Sequence, residues 1–305
     1  MQNRSLPRYN PIPTRLYLMN APIDLRQAVR NLNSLPALPV IAQKLMALKL
    51  DSEEGEKQMM LLISQDPMIS AKIIGLANSP LLGATRHISA VRDAAMLLGL
   101  NRVKSVATGI AVMSLVNKPI GRFDPQELWL HNMAVAFAML PVVRAMPANN
   151  RPQDDQIFLA GMLHDIGYLA LAHLDTRRSD DLHTRFVIEP DRPAIEVERE
   201  LLEVTHDELG AELARHWNLP SEIVAVLRYH HTPDAVEATE GQPLARIVNI
   251  TEKLLPQLGL REFVGNYVTP EEWAALGIDP DRAGDIAEQA VEQANQAAQF
   301  ASSFN

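Results

Sequence analysis

The histidines of this chain are concentrated in one part of the sequence. Seven of the nine lie between residues 164 and 231, and one more precedes them at position 131. Residues four apart share one face of a helix, so Glu127 and His131 are predicted to lie on the same face. Four groups stand out along the sequence: Glu127 with His131, His164 with Asp165, His206, and His230 with His231. The other histidines are predicted to be surface or local structural residues: His87, His173, His183 and His216.

These residue types would suit a metal ion bound through nitrogen and oxygen. The chain has no cysteine, so a transition metal would have to be held by His, Asp or Glu, a donor set that suits Fe, Mn, Ni or Zn. The segment "FLAGMLHDIGYLAL" is too apolar for His164 and Asp165 to be ordinary surface residues, and a bound metal would offset the cost of burying them. The alternative is a hydrogen-bonded core histidine with Asp165 as its acceptor. The spacing alone leaves both interpretations open.

The composition limits the class of protein. The chain has 305 residues, of which 47% are hydrophobic and 21% charged, as in a globular protein of one large or two ordinary domains. The formal net charge of −9 argues against a general nucleic-acid-binding surface. The N-terminus lacks the apolar core of a signal peptide, and the longest apolar stretch, "MAVAFAMLPVV", is short for a bilayer span. We therefore predict a cytoplasmic protein that binds neither nucleic acid nor membrane.

The apolar residues follow helical spacing through nearly the whole chain, with no convincing period-two run. Capping residues indicate where helices begin and end. The predicted caps are Asp51 with Glu54, Asp66 with Pro67, Ser89, Asp124 with Pro125, and Gly99 as a C-terminal stop. The segment "VERELLEVTHDELGAELARHWNLP" is predicted to form one long helix. The fold class is therefore predicted to be all-α.

The chain divides into four predicted parts. A proline-rich extended leader at residues 1–24 precedes a helical lobe at 25–120. A second helical lobe at 121–260 carries most of the histidines, and a helical tail follows at 261–305.

Several segments, in this order, resemble a known family. They are "LPALPVIAQKL", "ISQDPMISAKIIGLANSPLLG", "ISAVRDAAMLLGLNRVKSVA", "ELWLHNMAVA", "FLAGMLHDIG", "HDELGAELARHWNLP" and "AVLRYHH". The order of the histidines resembles the HD superfamily of metal-dependent phosphohydrolases, and the fuller match is to the HDOD family (HD-related output domain). The resemblance covers about residues 30 to 260. It implies an HDOD domain at 25–260, in which a family-specific N-terminal lobe precedes an HD-like helical bundle, and a regulatory role in bacterial signal transduction.

The resemblance also implies a set of metal ligands. Matched position by position to the HD-GYP branch of cyclic-dinucleotide phosphodiesterases, the chain retains most of the ligands, which would hold one or two divalent ions. The implied ligands are Glu127, His131, His164, Asp165, His206, His230 and His231. In the superfamily the last ligand is an Asp, and the corresponding residue here is Glu252, whose extra methylene moves the carboxylate.

The chain departs from the enzymes of the superfamily where they contact phosphate. A lysine commonly follows the HD-x-G segment in HD phosphodiesterases, whereas here the residue is Tyr168. The glycine-rich acidic loop that ends in Gly-Tyr-Pro is replaced by "HHTPDAVEATEGQPLA". Arg228 and Lys253 are the nearby cations that could reach a phosphate, although such residues are usually solvated. The sequence thus predicts a metal site without the substrate-recognition residues.

Three functional hypotheses follow. The favoured one is a non-catalytic signalling output module that binds a protein partner, in which the metal is structural or sensory. The second is a metal-dependent phosphohydrolase or phosphodiesterase, in which Asp165 would be the bridging ligand of two metals that lower the pKa of a bound water. The third is a di-iron redox or oxygen sensor. The sequence specifies neither the partner nor the oligomeric state.

Overall fold

The computed structural model describes residues 24–30, 36–79, 82, 86–115, 119–255 and 267–303. Within these ranges the regular structure is helical, and the β-type pairing is limited to one isolated bridge between Ile120 and Phe123. The predicted all-α fold class is confirmed. The predicted leader lies outside the described residues except for Asp24, so the four predicted parts of the chain stay a prediction.

Six α-helices lie in the described part of residues 25–120, a segment called the N-terminal lobe below. They are α1 (Leu25–Arg30), α2 (Val40–Ala47), α3 (Glu53–Gln65), α4 (Pro67–Ala77), α5 (Val91–Leu98) and α6 (Leu100–Met113). Asp66 caps α4 with Pro67 at its first position, and Gly99 ends α5 with φ of 88°, as predicted. Two predicted caps were wrong by one residue. Ser52, whose side chain accepts from the Gly55 N–H, replaces Asp51, and Ala90, which has no capping side chain, replaces Ser89.

Ten further α-helices lie in the described part of residues 121–305, where 121–260 is called the second lobe and 261–305 the tail. They are α7 (Pro125–Ala145), α8 (Asp154–Leu163), α9 (Ile166–Leu174), α10 (Thr176–Ile188), α11 (Ala194–Leu202), α12 (His206–His216), α13 (Ser221–Tyr229), α14 (Leu244–Leu254), α15 (Pro270–Ala275) and α16 (Ala283–Ser302). The predicted cap of α7, Asp124 with Pro125, is confirmed. The helices α6 and α8 pack together and so join the two lobes.

The centre of the second lobe is α7, whose residues from His131 to Val143 are all buried and mostly apolar, and which contacts α8, α14 and α16. A helix that is hydrophobic all round is stable only when other elements cover it. α16 covers one side of it with a stripe of buried residues at helical spacing, which are Ile286, Ala290, Ala294, Ala297 and Ala301. The helix α7 continues through Pro141.

Two stretches of the described residues, Pro125–Ala145 and Asp154–Leu174, are long and apolar enough to cross a membrane by length and composition. Two bent helix pairs, α3 with α4 and α5 with α6, pass the same test only when each pair is counted as one span. In this fold 83% of an apolar 18-residue window in each of the first two stretches is buried inside the protein. Their apolar character therefore matches their position in the core.

Two segments that look continuous in sequence are broken in the structure. The apolar run around residue 164 forms α8 and α9, and His164 and Asp165 occupy the junction between them. The predicted long helix from residue 197 to the residue before Pro220 is wrong, because the chain breaks at Glu203, whose φ of 62° is left-handed. A new helix then starts at His206, where the Glu208 side chain accepts from the Thr205 backbone N–H at 3.3 Å. Both breaks place ligand candidates at helix ends.

The helices α9 and α12 approach each other at Gly167 and Gly210. A Cβ on Gly167 would lie 1.9 Å from the backbone oxygen of His206 and 3.0 Å from the nitrogen of Gly210. Real atoms do not come so close, so only glycine allows the two backbones to meet here. The contact fixes the position of His206 relative to the junction that carries His164 and Asp165.

We expect Gly167→Ala to lower the free energy of unfolding by about 1–3 kcal/mol, because the added methyl group forces α9 and α12 apart. Urea denaturation followed by circular dichroism measures the change. The matched control is Gly284→Ala in α16, where an added Cβ meets no atom within 4 Å. That variant is expected to stay within about 0.5 kcal/mol of the parent. Equal effects of the two substitutions would contradict the close approach.

Candidate metal centre

Four ligand candidates from three parts of the fold form a first cluster. His131 comes from the second turn of α7, His164 and Asp165 from the α8–α9 junction, and Glu252 from α14, and one ligand atom of each lies within 4.8 Å of the others. The His131 Nε2 lies 3.2 Å from His164 Nε2 and 3.2 Å from Asp165 Oδ2. The Glu252 Oε1 lies 3.0 Å from His164 Nε2 and 3.5 Å from His131 Nε2.

Three histidines form a second cluster on the other side of Asp165. His206 is the first residue of α12, His230 is the C-terminal cap of α13, and His231 follows it. The His206 Nε2 lies 3.4 Å from His230 Nε2 and 3.2 Å from His231 Nε2. The Asp165 Oδ1 lies 3.4 Å from His206 Nε2 and 3.6 Å from His230 Nε2, while its Oδ2 faces the first cluster. Asp165 thus stands between the two clusters.

The structure therefore brings together seven of the eight ligand candidates proposed from the sequence. Six of them are buried, and His231 is half-buried. Glu127 is the exception, because it is exposed in the first turn of α7 and belongs to neither cluster. Its role as a ligand stays a prediction. Of the other histidines, His87 and His173 are exposed, and His183 and His216 are partly buried.

The hydrogen bonds of the rings direct bare nitrogen lone pairs toward Asp165. The Nδ1 atoms of His164 and His230 lie 2.9 and 3.0 Å from the carbonyl oxygens of Gly161 and Leu227. Because a carbonyl can only accept, each of these Nδ1 atoms carries a proton, and the Nε2 of the neutral ring is then an acceptor. Two acceptor nitrogens 3–4 Å apart repel each other, and each also repels a nearby carboxylate, unless a cation lies between them. The arrangement therefore fits a metal ion.

The carboxylates support the same conclusion. None of the four side-chain oxygens of Asp165 and Glu252 has a hydrogen-bond partner among the described residues, although all four are buried. Both oxygens of Asp165 and the Oε1 of Glu252 lie 3.0–3.6 Å from imidazole nitrogens, but these contacts lack hydrogen-bond geometry. An ionised carboxylate buried without partners is costly. Mixed imidazole and carboxylate donors favour a transition metal over Mg²⁺ or Ca²⁺, which prefer oxygen donors throughout.

Without an ion, protons must balance the charge of this cluster. Burial alone would lower the pKa of His131, but the carboxylates of Asp165 and Glu252 raise it to about 9. The pKa of His164 is likewise raised well above its usual value against the effect of burial, first by Asp165 and then by Glu252. Conversely, burial would raise the pKa of Asp165, but His164, His131 and His206 hold it well below its usual range. In His230, burial and the neighbouring His231 lower the pKa.

Glu198 is a functional candidate that the sequence did not reveal. It is fully buried on α11, and each of its oxygens lies 2.9 Å from the Nδ1 of His206. A sequence signal existed, because Ala194, Val197, Glu198 and Leu202 form the buried stripe of α11 at helical spacing. A glutamate in that stripe must have a polar partner inside the protein. Tyr168, also fully buried, donates from its hydroxyl to Glu198 Oε1 at 2.7 Å.

The fold and the site define an all-α protein in which buried imidazoles and carboxylates meet where several helices end. The sequence pattern of the HDOD domain matches residues 35–233. The chain belongs to the HDOD domain family, as its resemblance to that family predicted.

Similar proteins come from several bacteria. An uncharacterized protein of Treponema pallidum (strain Nichols) is 26% identical over 229 residues, which are 72% of this chain and 42% of that protein. The chain thus spans less than half the length of that relative. A solved HDOD domain protein with unknown function from Geobacter sulfurreducens is 24% identical, with a TM-score of 0.64 over 91% of this chain and 94% of its own.

Two other solved structures share the fold. A proposed signal transduction protein from Marinobacter aquaeolei VT8 is 22% identical, with a TM-score of 0.72 over 93% of this chain and 67% of its own. A proposed phosphohydrolase from Shewanella amazonensis SB2B is 20% identical, with a TM-score of 0.69 over 91% of this chain and 98% of its own. At these identities the likeness establishes the fold.

The stability of the metal-free chain is expected to depend on the protonation of His131. A group whose pKa is raised by folding contributes stability that is complete below its unfolded pKa, near 6.5, and is lost as the pH rises through about 9. His164 contributes with the same sign. We therefore expect the free energy of unfolding to fall between these pH values in the presence of a chelator. Urea denaturation at closely spaced pH values measures this slope, which His131→Gln should reduce; an unchanged slope in the variant would contradict the assignment.

Proposed function

We propose that this chain is a regulatory module of bacterial signal transduction that acts through a protein partner, with a metal centre that braces or senses rather than catalyses. Membership of the HDOD family supports the regulatory role. One structural neighbour is named a proposed signal transduction protein, and another is named a proposed phosphohydrolase. The observation that carries the proposal is the state of the residues at the expected phosphate-contacting positions. In this chain they are engaged with its own carboxylates.

The first of these positions is Tyr168. Its side chain is fully buried, its hydroxyl donates to Glu198, and its ring stacks on His206 with 4.4 Å between centroids and 15° between planes. It therefore faces the protein interior and presents no cation to a substrate. A lysine at this position would instead provide a positive charge for a phosphate.

The two nearby cations are also paired. Arg228 donates to Asp207 at 2.6 Å and to Glu208 at 3.2 Å. Lys253 forms an ion pair with Glu272, the residue that completes the capping box of α15. A phosphate would have to compete with these carboxylates for both residues. This pairing supports a centre without phosphate-ester specificity.

In the proposed centre, His131, His164, Asp165 and Glu252 would hold one ion, and His206, His230 and His231 would form a second position that shares Asp165. The ion is proposed to be Fe, Mn, Ni or Zn. When bound, it supplies the positive charge that the buried carboxylates lack. The protein's contribution is to join α7, the α8–α9 junction, α12, the end of α13 and α14 around one point. We propose that the chain acts in the cytoplasm, with neither nucleic acid nor membrane as its partner.

A phosphohydrolase is the second candidate function, and one observation favours it. The two oxygens of Asp165 face different clusters, as a bridging ligand between two metals would require. In that case the paired metals would activate a water and stabilise negative charge on a phosphoryl oxygen. Assays of the purified chain decide between the two functions.

The metal centre is tested by elemental analysis of chain purified without chelators. We expect at least about one transition-metal ion per chain, and a lower melting temperature after chelation, because an ion that binds only the folded state stabilises it. Asp165→Asn, which changes the residue between the clusters, should lose most of the metal. The control His173→Ala changes an exposed histidine of α9 and should retain it. Fewer than about 0.2 ions per parent chain would contradict the centre.

The proposed absence of catalysis is tested with a generic phosphodiester and with cyclic dinucleotides, in the presence of Mn²⁺ or Fe²⁺. We expect no hydrolysis above the metal-only background, because the cations near the cluster are paired within the protein. Hydrolysis that His164→Ala and Asp165→Ala both abolish, in variants that keep the helical circular dichroism of the parent, would establish the phosphohydrolase instead.

A further inference from the structure

Glu198 is a buried carboxylate that bonds to the first residue of α12 in two ways. Its Oε2 accepts from the backbone N–H of His206 at 2.9 Å, one of the N–H groups that a helix start leaves without a partner. Both of its oxygens lie 2.9 Å from the ring Nδ1 of the same residue. With the Tyr168 hydroxyl, the carboxylate therefore has three donors. These contacts fix the orientation of the ring.

The carboxylate also distinguishes His206 from the other histidines of the centre. The Nδ1 atoms of His164 and His230 bond to neutral backbone carbonyls, whereas the Nδ1 of His206 bonds to a negative charge. A hydrogen bond to a carboxylate draws the Nδ1 proton toward the acceptor and leaves more electron density on Nε2. Among these three histidines, His206 is therefore the strongest electron donor to a cation.

Tyr168 holds both members of this pair. Its hydroxyl fixes Glu198, and its ring lies nearly parallel to that of His206. The neighbouring Gly167 permits the approach of α12 on which this stacking depends. Tyr168 therefore positions Glu198 and His206, and it does so at the position where the related phosphodiesterases commonly have a lysine.

We propose that Glu198, held by Tyr168, is a positioning residue that strengthens the binding of a divalent transition-metal ion at the second cluster, His206, His230 and His231. The inference rests on the metal centre proposed above. It states that the two clusters obtain their negative charge from different carboxylates. The first cluster contains the carboxylate of Glu252 as a ligand candidate. The second contains three imidazoles and obtains its additional negative charge through Glu198 and from Asp165.

The test is a titration of metal-stripped, full-length chain with Co²⁺ alone, followed by calorimetry and by the visible d–d absorption of the bound ion. We expect Glu198→Gln, which keeps the size of the side chain and removes its charge, to weaken Co²⁺ binding about 10- to 100-fold and to shift the absorption band. Glu198→Asp should restore part of the affinity. Tyr168→Phe keeps the stacked ring and should give a smaller loss of affinity with a band shift in the same direction.

Glu200→Gln is the matched control on the same helix. Its carboxylate lies at the surface, where it pairs with Arg185 and Arg192, so affinity and spectrum should match those of the parent. Circular dichroism of the metal-free variants checks the fold.

The outcomes separate the two proposals. A parent chain that binds no Co²⁺ overturns the metal centre itself. A parent that binds Co²⁺ while Glu198→Gln shows the same affinity and spectrum overturns the role of Glu198 and leaves the centre intact. If Glu198→Gln does not fold, Tyr168→Phe decides, because an unchanged affinity and spectrum in that variant also overturn the inference.

Discussion

The burial of Asp165 is the constraint on which this structure depends. An ionised carboxylate with no exposed surface, surrounded by the imidazoles of His131, His164, His206 and His230, needs positive charge inside the protein. Protons on the imidazoles or a metal ion can supply it, and the two compete for the same nitrogen atoms. Either solution requires several helices to remain in place. The buried charge thus couples the local chemistry of the site to the integrity of the second lobe.

The ligand candidates lie mostly where helices end rather than along their faces. His164 and Asp165 occupy a junction, His206 opens α12, and His230 caps α13. The backbone N–H and C=O groups at helix ends have no partners within the helix. Side chains next to the ligand candidates form hydrogen bonds with some of these groups. Glu198 accepts from the N–H of His206, and Asn249 donates to the carbonyl of His230 at 2.7 Å. Helix capping and ligand orientation are therefore achieved by the same residues.

Much of the fold and most of the candidate site could be predicted from the sequence, for identifiable reasons. Helical periodicity predicted the all-α class, and the resemblance to the HD superfamily, carried by the order of the histidine groups, implied that His131, His164 and His206 belong to one ligand set. At Glu127 the spacing predicts only a helix face shared with His131; the residue is exposed in the first turn of α7, and its role as a ligand stays a prediction. The break at Glu203 was missed because amphipathic spacing continues across a single left-handed residue. Glu198 was missed because its role depends on contacts with Tyr168 of α9 and His206 of α12. Contacts between separate helices cannot be predicted from residue spacing along the chain.

The position of α14 and α16 bears on how this protein can be divided. The family pattern ends at residue 233, whereas Glu252 and the alanine stripe that covers α7 lie beyond it. A fragment cut at the family boundary would therefore lose a carboxylate from the first cluster and expose an apolar helix that the intact chain buries. The segment that matches the family pattern is shorter than the segment that completes the core. Expression or fusion of this protein should therefore keep α14 and α16 with the rest of the chain.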